Sequence, residues 1–90
     1  MADKVRIVLY TKNECGLCDE MKEQMRQAHC NELYRLEEVD IEQDAEVYAK
    51  YRFEIPVLCI NGVEAFRHRL TTEDFRAYVT SLARGHNRER

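Results

Sequence analysis

Along this chain the spacing of apolar residues changes in a way that marks out seven elements. Val5-Arg6-Ile7-Val8-Leu9-Tyr10 is rich in β-branched and aromatic residues and predicts a strand. The spacing then becomes helical: Cys18, Met21, Met25 and Ala28 recur three and four residues apart, in a stretch that reads as helix to about Cys30. Tyr34-Arg35-Leu36-Glu37-Glu38-Val39-Asp40-Ile41 returns to a strand, with charges breaking its apolar pattern as they do at a sheet edge. Asp44 introduces Ala45, Tyr48, Ala49 and Phe53 at helical spacing, and Pro56 must end that helix because it has no N–H to donate. Val57-Leu58-Cys59-Ile60 reads as a buried strand. Asn61-Gly62 suits a type I′ turn, whose two central positions need positive φ, and joins that strand to Val63-Glu64-Ala65-Phe66-Arg67. Phe75, Tyr78, Val79 and Leu82 share one face of a last helix. Thr71 or Thr72 caps it, Glu73 and Asp74 occupy its first turn, and Gly85 is its expected stop.

The order is βαβαββα: a parallel pair joined by a helical crossover, then an antiparallel hairpin, with helices covering the sheet. This predicts an α/β fold with a four-stranded mixed sheet flanked by three helices. Ninety residues allow one core, so residues 1–85 are expected to form one domain and residues 86–90 a solvated, flexible tail. A hydrophobic fraction of 44% supports such a core and excludes the disordered class. The net charge of −3 combines an acidic middle, from Glu37 to Glu46, with a basic end at Arg84, Arg88 and Arg90. Neither block is long or pure enough to indicate nucleic acid. No apolar run is long enough to span a membrane, and Met1-Ala2-Asp3-Lys4 leads into the first strand without a secretory pattern. The expectation is a cytoplasmic monomer.

Cys15-Gly16-Leu17-Cys18 carries the chemistry. Two thiols two residues apart, where a strand gives way to a helix, suggest disulfide exchange, because unpaired N–H groups and the helix dipole stabilise a thiolate there. Cys18 lies on the stripe that faces the sheet, whereas Cys15 sits at the tip. Cys15 is therefore the expected nucleophile and Cys18 the resolving thiol that closes the Cys15–Cys18 disulfide. Gly16 permits close approach to a substrate, and Leu17 offers an apolar lip. A bare Cys-x-x-Cys also occurs in zinc, copper and iron–sulfur sites. Cys59 has the period of a buried strand residue, and Cys30 has no partner by spacing.

With this element order, Tyr10-Thr11-Lys12, Cys15-Gly16-Leu17-Cys18, Val39-Asp40-Ile41 and Ile55-Pro56-Val57 make the chain resemble the glutaredoxin branch of the thioredoxin superfamily. Its Cys-Gly-Leu-Cys-Asp-Glu and Ile55-Pro56-Val57-Leu58 look closest to the short glutaredoxin-like proteins. The resemblance implies a small thiol–disulfide oxidoreductase with no bound cofactor, with glutathione as a possible reductant and a protein disulfide or glutathione mixed disulfide as substrate. It places a lysine at Lys12, able to stabilise a thiolate or take a substrate carboxylate. It implies a cis peptide from Ile55 to Pro56, with the Ile55 backbone open to an extended substrate, and a carboxylate-binding role for Arg52. Thr72 and Glu73 would offer helix N-terminal N–H groups to the same ligand. The chain departs from the glutaredoxin pattern in two places. Gly16-Leu17 replaces Pro-Tyr, and Arg67-His68-Arg69-Leu70 replaces the Gly-Gly pair before the last helix, where Arg67 or Arg69 would have to compensate. The alternatives are glutathione-dependent chemistry through Cys15 alone, a metal or iron–sulfur module, and a binding module with secondary redox chemistry.

Overall fold

The computed structural model describes residues 4–88, with side chains accounted for through residue 83. It contains four strands, β1 (Val5–Thr11), β2 (Tyr34–Asp40), β3 (Val57–Ile60) and β4 (Val63–Arg67), and three helices, α1 (Gly16–Gln27), α2 (Ala45–Tyr51) and α3 (Thr72–Arg88). Single 3-10 turns at Asn31–Leu33 and Ile41–Gln43 lead into β2 and α2. The sheet order is β2-β1-β3-β4, with β1 parallel to β2 and the other pairs antiparallel. Both the mixed four-stranded sheet and the edge position of β2 are as expected. No helix among the described residues is long and apolar enough to cross a membrane.

Alternation along β1 divides the molecule into two layers. Val5, Ile7 and Leu9 point to one face, where Met21 and Met25 of α1, its C-cap Ala28, and Phe75 and Val79 of α3 close the larger core. Tyr10 points to the other face and joins Ile41, Tyr51 and Val57 beneath α2, its ring stacked on Tyr51 at 4.4 Å between centroids. Complete burial of side chains of this size stabilises the fold by about 1.5–3 kcal/mol each. The hairpin turn is as predicted, with φ of 51° at Asn61 and 85° at Gly62.

Three boundaries differ from expectation. α1 stops at Gln27, not near Cys30, because His29 takes a left-handed φ of 54°, and the freed Ala28 carbonyl accepts from Arg76 Nε at 3.0 Å. α2 ends at Tyr51, five residues before Pro56, so its inward face is Val47, Tyr48 and Tyr51. Ala45, Ala49 and Phe53 are exposed instead, Phe53 by 77%. α3 continues through Gly85 to Arg88; the rest of the expected tail, residues 89–90, lies outside the described residues.

Asp44 fixes the start of α2, its carboxylate accepting from the N–H groups of Glu46 (2.9 Å) and Val47 (3.1 Å). Asp44→Ala leaves both donors unpaired. It should lower the unfolding free energy by about 1 kcal/mol, read from the denaturant midpoint at unchanged slope.

Candidate functional site

The site forms where β1 delivers the chain to the N-terminus of α1. Cys15 is the N-cap, in extended conformation, and the Cys18 N–H donates to Cys15 Sγ at 3.2 Å. One of the unpaired donors of the first helical turn is thus aimed at the sulfur, the arrangement that favours a thiolate. The helix begins because Cys15 O accepts from Asp19 N–H at 3.1 Å. Cys15 and Cys18 are joined as a disulfide with Cα atoms 5.2 Å apart. Burial distinguishes the two sulfurs: Cys18 is 1% exposed and on the inward side of α1 with Met21, whereas Cys15 is partly exposed, beside exposed Gly16 and partly buried Leu17.

The other two cysteines are poorly suited to compete. Burial pushes the thiols of Cys30 and Cys59 up from the ordinary value, with a further rise from the charges of Glu32 and Glu64 respectively. Both are therefore protonated, weak nucleophiles at neutral pH. Cys59 is partly exposed rather than fully in the core, and Cys30 is buried.

The residues expected around the pair divide into those that are open and those already engaged. Lys12 is exposed and has no carboxylate within ion-pair distance among the described residues. It lines a small polar hollow of about 250 Å³ with Glu14, Asp19 and Asp40. Arg52 is exposed, its guanidinium 4.6 Å from the Phe53 ring centroid and 5.2 Å from that of Tyr48. The Ile55–Pro56 peptide is cis. The Ile55 N–H, expected to be open to a substrate, instead donates to the Tyr51 carbonyl at 3.2 Å, because the chain turns sharply as α2 ends.

The start of α3 also differs from expectation. Thr72 N–H donates to Gln24 Oε1 at 3.1 Å, and Asp74 N–H to Thr71 Oγ1 at 3.1 Å, so Thr71 is the cap. Of the pair expected to receive a carboxylate, only Glu73 keeps its N–H without an intramolecular acceptor among the described residues.

A latch that the sequence did not disclose crosses this region. Arg67 donates to Glu64 Oε2 at 2.7 Å and to Glu54 Oε1 at 2.8 Å, and its guanidinium is held above its ordinary pKa, first by the Glu64 hydrogen bond. His68 N–H donates to the Pro56 carbonyl at 2.7 Å, and its ring lies 3.7 Å from Glu54. Arg69 lies 3.7 Å from Glu20 of α1. In the basic segment that stands in place of Gly-Gly, Arg67 and Arg69 thus each face acids of the chain itself. The one sequence signal was Glu64, three residues before Arg67; Glu54 gave none. A cleft of about 530 Å³ beyond the latch is lined by Met21, Gln24, Phe66, Arg69 and Leu70 and includes neither Cys15 nor Cys18. No three His, Cys, Asp or Glu residues among those described are grouped as a metal site would need.

Comparison with known proteins agrees with this geometry. A family profile described as "Glutaredoxin-like domain (DUF836)" matches residues 6–80. An X-ray structure of a protein from X. campestris is 25% identical, with a TM-score of 0.71, covering 83% of this chain and 96% of that one. A solution structure of a protein from Nitrosomonas europaea is 24% identical, also at 0.71, covering 87% and 94%. Thioredoxin-2 of the malaria parasite is 17% identical at 0.67, covering 90% and 85%, and shares the fold.

Proposed function

The chain belongs to the glutaredoxin-like domain family, and we propose that within it this protein is a dithiol–disulfide oxidoreductase acting on disulfide-containing proteins. One observation carries the reading: a partly exposed sulfur at a helix N-terminus, Cys15, bonded to a buried one, Cys18. In the reduced protein, the Cys15 thiolate attacks one sulfur of a substrate disulfide. That S–S bond breaks, one substrate thiolate leaves, and a Cys15–substrate mixed disulfide forms. Cys18, deprotonated in turn, attacks Cys15 Sγ and expels the second substrate thiolate. Two electrons pass to the substrate, and the Cys15–Cys18 disulfide remains. An external thiol reductant such as glutathione, or a reductase system, returns the two electrons. A cytoplasmic setting, where such reductants keep thiols open, fits this cycle.

Engagement of Arg67 by two carboxylates and of the Thr72 N–H by Gln24 favours a protein disulfide over a glutathione mixed disulfide as substrate. Lys12, Arg52 and the Ile55 carbonyl are the groups left to orient it, beside Gly16, Leu17 and Pro56. Cys18→Ser tests the dithiol route directly. The variant should complete the first attack, accumulate the Cys15 mixed disulfide as a stable mass adduct, and lose turnover. Turnover retained with glutathione present would replace this reading with the single-thiol one.

A further inference from the structure

The outer edge of β2 is unpaired, and its residues Arg35, Leu36, Glu37 and Glu38 are exposed, Leu36 by 40%. Leu36 is one of only three large hydrophobic side chains so exposed among the described residues. Unpaired edges invite another strand, and charged residues on them decide which strand can bind and in what register. When two copies of one strand pair antiparallel, opposed residues share a sheet face, so the twofold axis must pass beside a single residue. Most centres are closed by charge. Centring on Arg35, Glu37 or Glu38 sets that residue against its own copy. Centring on Val39 sets Glu38 against Asp40, and centring on Tyr34 leaves only the start of the strand paired. Centring on Leu36 sets leucine against leucine and Arg35 against Glu37 twice, once on each side of the axis. Opposed charges of this kind stabilise a strand pair, whereas like charges oppose it.

On the helical face the same register brings together residues of both charges. Beside β2 lies a groove of about 390 Å³ between the strand and α1, lined by Met25, Tyr34 and Leu36 and carrying Lys22, Arg26, His29 and Glu38. The partner's Glu38 falls opposite Tyr34 at the rim of this groove, where each chain's own Glu38 already pairs with Lys22 at 3.2 Å and Arg26 with Glu23.

We propose that two copies of this chain associate through β2, antiparallel about Leu36, into one continuous eight-stranded sheet. Because the axis reverses strand direction, the two Cys15 sites face opposite ends of the assembly. Each is left open to a large substrate.

Sedimentation equilibrium of the full chain tests this. The expected mass is twice the 10.7 kDa of one chain. Arg35→Glu and Glu37→Arg, each alone, oppose like charges at both pairs and should weaken association about tenfold or more. An equimolar mixture restores both opposite-charge pairs, since one chain then carries two acids and the other two bases, and should recover the dimer. Unchanged disulfide reduction by each variant shows that it is folded, as neither residue lies at the redox site. A wild-type mass of 10.7 kDa at all concentrations, single variants that dimerise as wild type, or a mixture that stays monomeric would each overturn the proposal.

Discussion

Replacing Cys15 by serine is expected to reduce disulfide turnover to the rate of uncatalysed exchange while leaving the fold in place. A hydroxyl is not ionised at neutral pH, so the variant has no anionic nucleophile at the helix tip. The second thiol cannot substitute, since Cys18 is buried. Cys30 and Cys59 are held protonated by burial. Serine is also a favoured N-cap, and its oxygen can accept the Cys18 N–H that Sγ now accepts. The unfolding midpoint of the variant should therefore match that of the reduced wild type. Loss of turnover with unchanged stability separates a chemical role from a structural one. An assay of a model protein disulfide, run beside denaturant unfolding of the same preparation, reads both.

The largest effect on stability is expected at Phe75. Its side chain is wholly buried, lies edge-on to Tyr34 at 5.5 Å between ring centroids, and fills the space between α3 and the face of β1. Phe75→Ala removes that packing and leaves a cavity, at a cost of about 3–5 kcal/mol. A chain of this length has on the order of 5–13 kcal/mol in all. The variant should thus unfold at a far lower denaturant concentration, and α1 should lose order with α3 because both close the same core. A loss below 1 kcal/mol would mean that this core is packed otherwise.

What the sequence disclosed and what it did not follow a common physical division. The strand-to-helix change around Cys15, the Asp44 cap and the Asn61-Gly62 turn are determined by residues within a few positions of one another, and each was legible. The inward stripe Cys18, Met21, Met25 and Ala28 was legible for the same reason. The stripe through Ala45, Ala49 and Phe53 misled, because it assumed a helix extending to residue 53. The inward face of α2 is instead settled by Tyr51 stacking on Tyr10 of β1. The latch from Glu54 to Arg67 and His68, and the capping of Thr72 by Gln24 from 48 residues away, depend on the assembled fold and leave no local periodicity. These long-range contacts also occupy the Arg67 guanidinium and the Thr72 N–H, two groups expected from the sequence to meet a carboxylate.

The central claim is that one pair of thiols, approached through Cys15, carries the electrons. Reduced protein mixed with one equivalent of a disulfide substrate, quenched by alkylation and mapped by peptide mass, tests it most directly. The account predicts a Cys15–Cys18 disulfide, two substrate thiols released per chain, and Cys30 and Cys59 recovered as free thiols. Substrate bound to Cys30 or Cys59, or a Cys15–Cys18 pair left reduced while the substrate disulfide is consumed, would contradict it.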